Sequence, residues 1–272
     1  MIAYEDAVAR IAALALPLGS EHVPFERAAG RTLAAPVIAR SSVPAQNVSA
    51  MDGYAVRDAD THAVPFNLPV CGESFAGSDP SIDLTPGTAC RIFTGAPVPE
   101  GADRVIVQEC VERDGDIARV VRAFGPGRHI REVGSDFQKG DILLPVGHRL
   151  DWRSMTTAAA ADRKDVEVYH APRLVILATG DELAAPGQAY ERAGAIPESI
   201  SFGIQCLAQD SGARILRSLR LPDDRDILRP AAIAALADAD LIVVIGGASV
   251  GEKDYSQVTG KHFCAPSVHI QV

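Results

Sequence analysis

Apolar residues change their spacing along this chain, and each change predicts a different kind of structure. Near the N-terminus they fall at Ala7, Val8, Ile11, Ala12, Leu14 and Ala15. That is one face of a helix, which Pro17 and Gly19 end. From about residue 21 to 121 the apolar runs are short and repeatedly cut by Pro and Gly, a pattern of short strands rather than helices. Asp114-Gly115, between ADRVIVQECVER and IARVVRA, is a hairpin signal, so this stretch reads as an all-β module closed by Gly125-Pro126-Gly127. A strand-like run at 141–145 and an Ala-rich helix at 151–161, with Asp151 as its cap, form a connector.

From Arg173 the pattern becomes strand, helix, strand, helix, strand: RLVILATG, a helix over about 199–209, ARILRSLRL, a helix over about 224–237, and LIVVIGG. The apolar runs are short and unalternating, as in parallel strands buried on both faces, which predicts a doubly wound α/β domain. The fold class is therefore α/β plus β: a doubly wound α/β domain preceded by an irregular β-rich module and a small helix-containing connecting domain. The boundaries read as 1–19 with 38–46 and 128–170 for the connecting domain, 20–37 with 47–127 for the β-rich module, 171–259 for the α/β domain, and 260–272 for an atypical tail.

In doubly wound folds ligands sit beyond the carboxyl ends of the strands. The last apolar run empties into Gly246-Gly247, a small residue, Ser249 and Gly251. Without Cβ atoms, successive N–H groups can converge on a phosphate oxygen, and the Ser249 hydroxyl can join them. Asp254 then sits at the rim of an anion pocket, where a carboxylate is useful with a metal or a proton to manage. A strand followed by a tight turn also fits these residues. The other polar Gly loop, Thr179-Gly180-Asp181-Glu182, faces the same crevice.

Composition narrows the classes of partner. With 26 basic and 35 acidic residues and a net charge of −9, and no basic window interleaved with aromatics, no nucleic-acid partner is expected. The five cysteines are scattered and never spaced CxxC, which argues against a disulfide framework and against a zinc knuckle. Seven histidines show no paired spacing. Glu5 and Asp6 stand where a signal peptide carries Lys or Arg, and no apolar run reaches membrane-spanning length. A cytoplasmic protein with no membrane association is expected.

Five blocks occur in order: SAMDGYAV (49–56), FTGAPVPEGADRVIVQE (93–109), REVGSDFQKGDILLPVG (131–147), ATGDEL (178–183) and GGASVGEKDYS (246–256). Together they resemble the molybdopterin molybdenumtransferase family, which is related to the E domain of gephyrin. The resemblance implies an enzyme of molybdenum cofactor biosynthesis. Such an enzyme takes adenylylated molybdopterin and molybdate, releases AMP with the help of Mg²⁺, and leaves molybdenum on the pterin dithiolene. It makes the α/β domain the molybdopterin-binding one, with Thr179, Gly180, Asp181, Gly246, Gly247, Ser249 and Gly251 on the substrate. Asp52, Thr94, Asp136, Glu182 and Asp254 match catalytic positions, and Glu182 and Asp254 also match the metal-binding acids. It further implies a homodimer, with the connecting domain in dimerisation and Asp52 meeting Glu182 across the interface, and pathway proteins as partners.

Local chemistry offers other readings of the same residues. Asp52 and Thr94 suit turns, Asp136 a turn cap, Glu182 a helix N-terminus and Asp254 a solvated surface; Asp223-Asp224, which resemble an acidic pair the family carries before its next helix, also suit a helix cap. The chain also departs from the family pattern. Ile200 stands where the family usually has an Asn. Beyond Ser256 the lysine-bearing KPGKP-like segment and the C-terminal β-barrel domain are missing; Lys261 takes on no role. The chain therefore reads as a truncated member. The second reading is a truncated non-catalytic paralogue acting as a pterin-binding or scaffold protein.

Overall fold

The structure, a computed structural model, describes residues 3–78 and 82–246; the tail at 260–272 lies outside them. Among the described residues four helices form, close to where the sequence predicts them. α1 is Tyr4–Leu14, with Glu5 and Asp6 in its first turn, where carboxylates favour the helix dipole. α2 is Trp152–Ala160 and opens with a reciprocal cap: the Ser154 N–H donates to the Asp151 carboxylate (2.8 Å) while the Asp151 N–H donates to the Ser154 hydroxyl (2.7 Å). α3 is Ile200–Asp210. Its cap is Glu198, whose buried carboxylate accepts the Ser201 N–H at 2.8 Å and the Ser201 hydroxyl, while Ser199 makes no side-chain cap bond. α4 is Arg225–Asp238, capped by Asp224, which accepts the Asp226 N–H at 2.8 Å.

The chain clusters into two compact units, one of Pro36–Pro145 with Thr156–Lys164, the other of Met1–Ala35, Val146–Met155 and the residues from Asp165 onward. The first is built on a six-stranded sheet in the order Arg104–Val107, Gly53–Val56, Ala89–Ile92, Phe66–Ser74, Ile117–Val120, Val111–Asp114. Alternate residues of the same strands fill two separate cores. Tyr54, Val56, Ala89 and Ile106 belong to one, and Ala55, Cys90 and Val105 to the other, so both faces of this sheet are covered. The expected hairpin is present: Asp114 pairs with Ile117, and Gly115 starts the turn at φ +57°. The arm expected to precede it as one run is divided. A 3₁₀ turn at Gln108–Cys110 separates Arg104–Val107 from Val111–Asp114, and the two strands lie at opposite edges of the sheet.

In the second unit, Ser20–Pro24 pairs antiparallel with Asp165–Tyr169. A parallel sheet holds Arg173–Thr179 in the centre, between Arg214–Leu221 and Leu241–Ile245. Burial on both faces is complete only for this central strand, from Leu174 to Thr179; its neighbours are partly exposed. The difference follows from position, since among the described residues each outer strand has a neighbour on one side only. α4 lays Ala232 and Ala235 against Val175 and Leu177, ringed by Leu216, Leu219, Leu221 and Ile242. Small residues on the helix let it approach closely, and each buried Leu or Val there contributes about 1.5–3 kcal/mol. Among the described residues no helix is long and apolar enough to cross a membrane.

Cys90, inside the six-stranded sheet, is fully buried, and its thiol is pushed up to about 12, chiefly by burial. Cys71 and Cys206 are exposed. Iodoacetamide at pH 8 will therefore alkylate Cys71 and Cys206 in the native protein and leave Cys90 unmodified until denaturant is added, as peptide mass mapping will read; native labelling of Cys90 would contradict the packing.

Candidate functional site

Parallel pairing brings the carboxyl ends of the central strand and of Leu241–Ile245 to one edge of the sheet, with Ala178 opposite Ile245. The chain beyond each end is constrained by what it touches. Gly246 sits at φ +92°, and a Cβ there would lie 2.4 Å from the Thr179 carbonyl oxygen, so the approach requires glycine. Thr179 is buried, and its hydroxyl reaches toward the Ile245 carbonyl at 3.5 Å. The Gly180 N–H donates to the carbonyl of Leu221, at the end of the third strand, over 3.2 Å.

Two acids, Asp181 and Glu182, lie just beyond this edge. Asp181 accepts the Asp223 N–H at 3.2 Å, while the Arg192 guanidinium holds the Asp181 carbonyl at 2.9 Å. The Glu182 carboxylate folds back over Gly180, so closely that a Cβ on Gly180 would stand 2.7 Å from it. Glu182 is not at a helix N-terminus: it precedes the short strand Leu183–Ala184, which pairs with Ile196–Pro197. Asp224 does cap a helix, as local chemistry suggested. Ile200 is the first residue of α3 and about half exposed. Gly247, Ser249, Gly251 and Asp254 lie outside the described residues.

Among the described residues no group of three or more His, Cys, Asp or Glu side chains could hold a metal ion. Mg²⁺ does not need such a cage, because it keeps several waters and takes one or two carboxylates with substrate phosphates. The Glu182 carboxylate makes no hydrogen bond among the described residues and is a hard oxygen donor beside a glycine loop, which fits that mode of binding.

The other unit brings Asp52 and Thr94 together. One Asp52 carboxylate oxygen accepts both the Thr94 hydroxyl (2.7 Å) and the Thr94 N–H (2.8 Å). These bonds, the hydroxyl first, hold the Asp52 carboxyl below its ordinary range; the Arg91 charge assists and partial desolvation opposes. The Asp52 side chain thus serves a partner 42 residues away rather than its own turn. Gly53 follows because a Cβ there would fall 2.1 Å from the Ile106 carbonyl oxygen, inside the strand pairing. Asp136 stands apart from this pair: both its oxygens lie 2.7 Å from the Arg131 guanidinium, with both side chains about half exposed.

Arg91, which motif reading passes over, lies beside Asp52. Its guanidinium donates to the Gly53 carbonyl (3.1 Å) and to the Gln108 side chain (2.7 Å), and lies over the rings of Tyr54 and Phe93. Phe75 stacks on Phe93 with ring centres 4.8 Å apart. The available signal is its place in the strand that leads into the FTGAP block, two residues before Phe93.

Residues 2–161 match the family described as MoeA N-terminal region (domain I and II), and residues 175–271 match a probable molybdopterin binding domain. A molybdopterin molybdenumtransferase of Nostoc sp. is 36% identical over 240 residues, covering 87% of this chain and 55% of the relative. The Haemophilus influenzae protein of the same name is 36% identical over 246 residues, 90% of this chain and 60% of its own length. This chain thus spans little more than half of those relatives. A crystal structure of a molybdopterin biosynthesis moeA protein from Pyrococcus horikoshii OT3 superposes with a TM-score of 0.81 at 30% identity, covering 90% of this chain and 66% of the other. With a family match over more than half its length and a shared three-dimensional framework, the chain belongs to the MoeA, or molybdopterin molybdenumtransferase, family.

Proposed function

We propose that this protein acts in molybdenum cofactor biosynthesis, in the cytoplasm, inserting molybdate into adenylylated molybdopterin with release of AMP. The observation that carries this reading is the strand-end cluster, where Gly246 closes on Thr179 and the Glu182 carboxylate lies over Gly180. A glycine loop beyond parallel strands offers backbone N–H donors to the substrate's phosphates. Thr179, Gly180, Asp181, Gly246, Gly247, Ser249 and Gly251 bind that part of the substrate. Glu182 and Asp254 would hold Mg²⁺, which when bound supplies charge neutralisation at the pyrophosphate. Asp52, kept ionised by Thr94, then acts on the reacting centre with Asp136. A second copy of the chain supplies the Asp52–Thr94 pair to the Glu182 crevice in a homodimer.

Molybdate-dependent AMP release from adenylylated molybdopterin tests this directly. The purified chain should release AMP, and Glu182→Ala and Asp254→Ala should each reduce the rate by about a hundredfold or more, as loss of an electrostatic contact to the transition state does. No release from a folded, dimeric sample would leave only the pterin-binding reading. Thr94→Val adds a pH signature. Losing the hydroxyl donor raises the Asp52 carboxyl toward its ordinary value, so the acid limb of the rate profile should move to higher pH; an unmoved limb would remove Asp52 from the mechanism.

A further inference from the structure

We propose that Arg91 is a positioning residue for Asp52: it clamps the backbone around the acid and fixes a positive charge beside it. This rests on the reading that Asp52 takes part in the reaction. Two separate anchors make the clamp. The guanidinium donates to the carbonyl of Gly53, the residue after Asp52, at 3.1 Å. It also donates to the Gln108 side chain at 2.7 Å, and the Gln108 N–H in turn holds the Asp52 carbonyl at 3.0 Å. One side chain thus steadies the two peptide groups that follow Asp52, the Gly53 carbonyl directly and the Asp52 carbonyl through Gln108.

Chemistry explains why the residue is arginine. The two acceptors lie on different guanidinium nitrogens, a fork that a lysine ammonium does not reproduce. The flat group is also held over Tyr54 (5.1 Å) and Phe93 (4.7 Å), with Phe75 stacked on Phe93. Phe93 is followed at once by Thr94, the donor of both bonds to the Asp52 carboxylate, so the same stack steadies acid and donor. Among the described residues Thr94 and Arg91 are the groups that favour the ionised Asp52 carboxyl.

Arg91→Met and Arg91→Lys separate charge from clamp. Carbon-13 NMR of the Asp52 carboxyl should show its titration midpoint moving up in Arg91→Met and staying nearer the parent in Arg91→Lys. Hydrogen exchange at the Thr94 N–H should quicken about fivefold to tenfold in both. In the AMP-release assay kcat should fall about tenfold in both with KM nearly unchanged. If Arg91→Met leaves both the Asp52 midpoint and Thr94 exchange as in the parent, the clamp is refuted. Should Arg91→Met fail to fold, Gln108→Ala removes one anchor, and unaltered Thr94 exchange in it refutes the clamp equally. The NMR and exchange readouts need no turnover, so a shifted midpoint in a protein that releases no AMP supports the clamp while overturning the proposed reaction.

Discussion

A strand hydrogen-bonded along both edges and buried along both faces cannot shift its register without breaking two ladders at once. Arg173–Thr179 is such a strand, with Arg214–Leu221 and Leu241–Ile245 as its neighbours. Its end is therefore fixed, and so is the place where the chain first turns freely, at Gly180. Everything on that edge follows from it: Gly246 closing on the Thr179 carbonyl, Gly180 tied to Leu221, and Glu182 folded back over the loop. Among the described residues, the ladder places these parts to within a hydrogen-bond length of one another.

The six-stranded unit reaches a similar result by another route. Gly53–Val56 lies between two antiparallel partners, and the contact of Gly53 with the Ile106 carbonyl leaves no room for a side chain. Asp52 is the last residue before that locked strand, so its backbone inherits the strand's rigidity while its carboxylate stays accessible to Thr94. A rigid backbone with a reachable polar partner holds a carboxylate in place at low entropic cost.

What was legible in the chain, and what was not, divides by distance along it. The hairpin at Asp114-Gly115 and the strand-helix alternation after Arg173 depend on neighbours, and periodicity reports neighbours. The pairing of Ser20–Pro24 with Asp165–Tyr169 leaves no local mark, and neither does the division of 104–114 by the Gln108–Cys110 turn. The candidate site divides in the same way. Acids and glycines stood out by residue type, but that Asp52 bonds Thr94, that Asp136 bonds Arg131, and that Arg91 anchors Gly53 are contacts of the folded chain. The cap of α3 was not legible either: Glu198 holds the Ser201 N–H from a buried position outside the helix, a contact of the folded chain.

The antiparallel pair near the N-terminus also sets a timetable. The Ser20 hydroxyl bonds Glu167 across 147 residues of chain, so during synthesis the first strand waits for its partner. At about 5–20 residues per second that wait lasts roughly seven to thirty seconds. The six-stranded sheet is made wholly of residues synthesised within that interval, so its strands all leave the ribosome before the ends that flank it can join. A nascent chain arrested before residue 165 holds every strand of that sheet and an unpaired Ser20–Pro24, an exposed edge for a chaperone to cover.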